Sequence, residues 1–165
     1  MLRLAMIFML IVIHNACAAD GVPRMDDQVV GTWRLIAASA SSVSLKDDAP
    51  FGPTPSGIIT YTGDGRMMAI ISHSGRKPLA SGDRISASVD ERAEAFATSF
   101  SYAGRYSLAG DKIIHHVKIA SVQNWVDTDL IRLVRLEDNK ITLTTPPMSV
   151  GGLIRTTELV WERIR

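Results

Sequence analysis

The stretch KIIHHVKIASVQNWVDTDLIRL, residues 112–133, decides how this chain is read. It divides into a β-rich run, a polar turn and a second β-rich run. It also gathers the side chains best able to do chemistry: His115, His116, Asn124, Trp125, Asp127, Asp129 and Arg132. Neighbours on a strand point to opposite faces, so His115 and His116 cannot line one pocket or chelate one metal from regular strand geometry. Ile113, Val117 and Ile119 share the face of His115, which marks that face as the inner one. A β-bulge would exchange the pair, so both histidines stay candidates. In the second run Leu130, Arg132, Val134 and Leu136 share a face. If that face is inward, Arg132 is a buried cation that needs a partner.

Working outward, the same punctuation recurs. Residues 101–108 carry Tyr102 and Tyr106 and turn at Ala109-Gly110-Asp111. Residues 129–136 turn at Glu137-Asp138-Asn139 into 140–145; residues 146–152 break the pattern, and 155–163 form a last strand. Upstream, residues 57–62 and 66–72 are joined by Gly63-Asp64-Gly65, a hairpin signal because Asp-Gly readily takes positive φ. Residues 29–37 are the first strand candidate, with Gly31, Trp33 and Leu35 on one face. Residues 39–55 end in F-G-P-T-P; the prolines exclude a central strand, and the length suits a lid or a loop across an opening. Residues 74–82 are loop. Residues 86–100 alone are helical: Ser88 and Glu91 form a capping box, and Ala93, Phe96, Ala97 and Phe100 follow at helical spacing. The expectation is an all-β, antiparallel, up-and-down barrel of about eight strands with one short helix. Closure leaves no exposed sheet edge, and about eight strands enclose room for one small ligand.

The chain has 165 residues, 46% of them apolar and 21% charged, which suits one domain with a sizeable core. A net charge of +1 without a basic run argues against a nucleic-acid partner. Residues 1–19, MLRLAMIFMLIVIHNACAA, have Arg3, then an apolar run, then an A-x-A pattern at Ala16 and Ala18. This is the outline of a secretory signal peptide, too short to span a bilayer comfortably. A retained anchor is one competing reading; a lipoprotein site at Cys17 is another, poorly supported by His14-Asn15-Ala16. Cleavage would take Arg3 from the 18 basic residues, balancing the 17 acidic ones, and would remove the one cysteine. Residues 20–28 form a polar connector, and 29–165 are the domain. The expected location is the periplasm or the exterior, with no integral membrane span after cleavage.

Several motifs, in order, resemble the lipocalin-like domain family of small bacterial and fungal proteins. They are Gly31-Thr32-Trp33; Gly57-x-x-x-Tyr61 with Asp64-Gly65-Arg66-Met67; Tyr102-x-Gly104-x-Tyr106; His115-His116-Val117; Asn124-Trp125-x-x-Thr128-Asp129 with Arg132; and Leu159-x-Trp161-Glu162-Arg163. Together they span residues 29–163. The resemblance implies a barrel around a pocket and says little about activity. It also implies that Trp33 plugs one end of the barrel under a stacked arginine, Arg155 or Arg163. Two positions depart from the family: Gln123 stands where proline is frequent, and Asp127 where glycine is frequent.

The leading expectation is a ligand-binding barrel. Tyr61, Tyr102, Tyr106, Trp125 and Arg132 would hold a small apolar or aromatic molecule, Arg132 taking a carboxylate or enolate oxygen. The alternative is a cofactor-independent cyclase, isomerase or dehydratase. There His115 or His116 moves a proton, and Arg132 or Tyr106 holds an oxyanion. The plain alternative for each residue is core packing or an internal ion pair. Two inward titratable groups within hydrogen-bond reach favour the enzyme, an aliphatic lining with one polar anchor favours the carrier, and a barrel with no cavity favours a structural envelope protein. Nothing calls for a cofactor: there is no metal motif, no nucleophile elbow and no phosphate loop.

Overall fold

The computed structural model describes residues 25–42, 46–47 and 49–164; the leader expected at 1–19 lies outside them. A one-turn helix, α1 (Met25–Val29), leads into the strand β1 (Gly31–Ser41). There follow β2 (Lys46–Asp47), β3 (Ser56–Tyr61), β4 (Arg66–Ser72), helix α2 (Val89–Ala97), β5 (Ser99–Ala109) and β6 (Lys112–Ala120). A 3-10 turn (Gln123–Trp125) separates β6 from β7 (Asp129–Glu137), and β8 (Lys140–Thr144), β9 (Met148–Val150) and β10 (Leu153–Arg163) complete the chain. Every pairing is antiparallel, and β10 returns to pair with β1. The result is a closed barrel of eight strands, β1, β3 to β8 and β10, with β2 and β9 as short additions.

The alternation that predicts the strands is visible in their burial. On β4, Met67, Ala69 and Ile71 are buried while Met68 and Ile70 are exposed. On β6, Ile113, His115 and Val117 are buried. The expected sharing of that face by Ile119 fails. Ala103 pairs with Ile119 but Gly104 with Val117, so Lys118 is an extra residue that turns Ile119 outward. The bulge lies after the histidine pair and therefore leaves His115 inside. It is housed by Gly104, where a Cβ would run into the carbonyl oxygen of His116. Gly104→Ala should cost about 1–3 kcal/mol, because backbone rather than a flexible side chain must give way. Urea unfolding of the variant beside wild type measures this; no loss would mean that the bulge adapts.

Three other expectations change in detail. The first strand runs to Ser41 rather than ending at residue 37, with a bulge at Ile36 that keeps Leu35 and Ala38 both inside. The helix ends at Ala97 and buries none of its residues completely; Phe100 belongs to β5, opposite Ile71. Its capping box is present as read, with Ser88 and Glu91 satisfying each other's backbone N–H. Residues 146–152 break the barrel pattern as expected but still contribute β9, an edge strand paired only with β10.

The barrel has one closed end and one open end. At the closed end Trp33 is fully buried and donates its indole N–H to Val29 O at 2.9 Å. Arg163, not Arg155, lies over the ring, its Cζ 4.0 Å from the centroid. The β3–β4 and β7–β8 turns lie at this end too. The open end carries the segment around residue 51, the 3-10 turn and the β8–β10 connection.

Candidate functional site

A cavity of about 410 Å³ opens at that second end. Its deeper wall is aliphatic and aromatic: Ile59, Ile71, Leu143, Leu159 and Trp161. Around its mouth Phe51, His73, Phe100 and Trp125 pack ring against ring. Phe51 lies 5.1 Å from His73 and 5.9 Å from Phe100, and Phe100 meets Trp125 edge-on at 5.5 Å. Edge-to-face packing at these spacings fixes ring orientation beyond what burial alone supplies. The loop expected to cross an opening does so in part, since Pro50 and Phe51 line the cavity and Phe51 O accepts from Ser74 N at 2.9 Å.

Trp125 is held by the 3-10 turn, which β6 and β7 deliver to the mouth. Thr128 Oγ1 donates to Trp125 O at 2.7 Å, and Asp127 takes a positive φ of 59°. That conformation suits the glycine frequent in the family; Asp tolerates it better than most residues, and here its carboxylate meets Lys118 Nζ at 2.7 Å. The departure at 127 therefore leaves the turn intact.

Of the expected site residues, Tyr102, Trp125 and Arg132 line the cavity. His115, Tyr61 and Tyr106 do not; they sit deeper, toward the closed end. His116 faces outward, its Nδ1 2.7 Å from Asp129 Oδ1 and its Nε2 2.9 Å from Ser107 Oγ. Tyr106 donates to Thr62 O at 3.1 Å and stacks edge-on against Tyr61. His73 reaches the rim, as its position after β4 suggests.

His115 is fully buried between two phenols: Tyr61 Oη lies 2.8 Å from Nε2, and Tyr102 Oη 3.1 Å from Nδ1. Burial, then the positive charge of Arg132 and then His116, lower its pKa to about 3, so the imidazole is neutral. A neutral imidazole donates from one nitrogen and accepts at the other. Tyr61 is buried and, among the described residues, has no other acceptor than Nε2. Tyr61 O–H must then donate to Nε2, and Nδ1–H to the Tyr102 oxygen. This leaves the Tyr102 O–H for a group in the cavity that Tyr102 lines. Desolvation raises the pKa of Tyr102, while the charge and hydrogen bond of Arg132 act against that rise. Burial, reinforced by the neighbouring Tyr102 hydroxyl, pushes Tyr61 well above its ordinary value. Both phenols are therefore protonated at neutral pH.

Arg132 donates to Ile131 O at 2.8 Å, and no carboxylate pairs with it among the described residues. Phe51, Phe100, Arg155 and Trp161 are lining residues that sequence reasoning did not assign to the site. The phenylalanine of F-G-P-T-P in a lid-like loop was the available signal for Phe51; Arg155 and Trp161 were open only to their motif roles.

A family model described as a lipocalin-like domain matches residues 30–164. Two solved structures are similar. One is an uncharacterized protein from Bacteroides eggerthii, 18% identical, covering 82% of this chain and 99% of its own, with a TM-score of 0.41. The other is a lipocalin-like protein from Bacteroides uniformis, 16% identical, covering 82% of this chain and 98% of its own, with a TM-score of 0.40. No curated protein matches.

Proposed function

Since the chain belongs to the lipocalin-like domain family, we propose that it binds a small, mostly apolar molecule inside its barrel, after export to the periplasm or the exterior. The observation that carries this reading is the cavity of about 410 Å³ with an apolar floor and an aromatic mouth. That volume falls in the range of small-molecule sites, and a barrel packed solid would have none. Export rests on the leader sequence alone; among the described residues no helix is long and apolar enough to cross a membrane.

The test is native mass spectrometry of the protein purified from its own periplasm or medium, with a fluorescent apolar probe as a second readout. A co-purifying small molecule, displaced by the probe, is the expected result. Trp125→Ala should weaken probe binding by roughly tenfold or more, referred to the folded fraction, since a ring that closes the mouth and packs on Phe100 and Tyr102 is lost. No bound species and no probe binding would overturn the proposal.

A second reading has its own observation. Tyr102 and His115 are inward titratable groups within hydrogen-bond reach, beside Arg132. In a cofactor-free isomerase, cyclase or dehydratase, Tyr102 O–H would deliver the proton and Arg132 would hold the developing oxyanion. His115, which lies behind Tyr102, would then be a positioning residue. Chemical conversion of the co-purified molecule on incubation would favour this reading; its unchanged return favours the carrier.

A further inference from the structure

Resting on the binding reading above, we infer that the ligand is an amphiphilic organic anion. Its carboxylate-class head would be held between Arg132 and Arg155 against a wall of hydrogen-bond donors.

The wall is built by strand register. Leu133 pairs with Thr144, and Thr144 with Glu158, so Arg132, Thr145 and Thr157 fall in one row across β7, β8 and β10. Arg155 is two residues before Thr157 on β10, hence on the same face. All four line the cavity. Thr145 Oγ1 accepts from Thr157 N at 2.9 Å, which leaves its hydroxyl proton available. Tyr102 likewise has its proton left over, as derived above.

Two further donors are buried and unsatisfied. Arg155 Nε and Trp161 Nε1 have no hydrogen-bond partner among the described residues, and Trp161 is only 1% exposed. A buried N–H without an acceptor is rare, and each calls for a partner that the protein does not supply. Both residues border the cavity.

Among the described residues no aspartate or glutamate lines the cavity, and neither guanidinium forms an ion pair. Arg163, the other late-strand arginine, is committed to Trp33 and to backbone carbonyls, which leaves Arg155 for the cavity. Two cations beside apolar walls focus a positive potential into the cleft. A neutral ligand would leave both without a counter-charge, whereas an anionic head pairs with them and gives Arg155 Nε an acceptor. A volume of about 410 Å³ lies within the range of sites that take drug-sized molecules.

The experiment compares two fluorescent probes with the same rings, anilinonaphthalene sulfonate and the sulfonate-free phenylnaphthylamine, titrated into wild type and into the Arg132→Gln/Arg155→Gln variant. Wild type should bind the sulfonate roughly tenfold or more tightly than the neutral probe. The variant should bind both about equally, keeping its affinity for the neutral one. Urea unfolding of the variant beside wild type shows that it is folded, since a loosened barrel would itself bind anilinonaphthalene sulfonate. Equal binding of both probes by wild type would overturn the charge preference and leave the apolar-binding reading standing. A preference that survives in the variant would overturn the arginine assignment. Failure of both probes to bind wild type would overturn both readings.

Discussion

Acidification is expected to strip stability from the barrel through His115, at about 1.4 kcal/mol per pH unit below about pH 6.5. In the unfolded chain this histidine titrates near 6.5; in the folded protein burial and then the charge of Arg132 hold it at about 3. Between those values the unfolded state binds one more proton than the native state. The contribution is therefore complete above about 6.5 and is lost as the pH falls toward 3. Summed over that window it reaches several kcal/mol, a large share of the 5–15 kcal/mol that holds a typical domain folded. Protonation would also force Nε2 to become a donor facing the Tyr61 hydroxyl, which has no other acceptor among the described residues. Urea midpoints at a series of pH values, for wild type and His115→Gln, isolate the term. The variant should be less stable at neutral pH and much flatter in acid. The carboxylates of Asp64, Asp83 and Glu91, held low chiefly by hydrogen bonds, weaken folding in the same direction at lower pH and are common to both proteins. Parallel curves for the two proteins would show that His115 is not buried and neutral.

The same residue shows how far the sequence could be read. Alternation placed His115 on an inner face and put Arg132 inside only if the face of Leu130, Val134 and Leu136 is the inner one; in the fold both face inward. Alternation has a period of two and carries no information about depth along the barrel axis. Tyr61, Tyr106 and His115 therefore looked equivalent to Tyr102 and Trp125 as candidate lining, although the first three lie in the packed half and the last two at the cavity. The bulge at Lys118 was equally hidden. It follows from a close backbone approach at Gly104, a long-range fact, and it reverses the side of Ile119. Local signals fared better: the capping box at Ser88 and the hairpin at Asp64-Gly65 depend only on neighbouring residues. The cation pair in the cavity was half legible. Arg132 stood out as a charge sharing a face with Leu130, Val134 and Leu136, but Arg155 shared its candidacy for the Trp33 stack with Arg163, and only the folded geometry separates them.

That stack is the second place where one substitution should tell heavily. Trp33→Ala is expected to cost about 3–5 kcal/mol, the range for removing a fully buried large aromatic. The closed end depends on it in three ways. Its indole fills the barrel between Gly31 and the core, and its N–H ties down α1 through Val29 O. Its face carries the Arg163 guanidinium, which itself donates to Val30 O at 2.6 Å and to Gln28 O. Gly31 is fitted to this arrangement: at φ +140° a side chain is strained, and its Cβ would meet the guanidinium. Trp33→Phe keeps most of the volume and loses the N–H and part of the stack, so about 1–2 kcal/mol is expected. A double-mutant cycle of Trp33→Phe with Arg163→Ala should return a coupling of about 0.5–2 kcal/mol, measured by urea unfolding. A loss below about 1 kcal/mol for Trp33→Ala would mean that the end is closed by something else. Because the cavity lies at the opposite end, the folded fraction of Trp33→Phe should bind apolar probes with wild-type affinity. Stability and binding would then separate along the barrel axis, the closed half holding the fold and the open half holding the ligand.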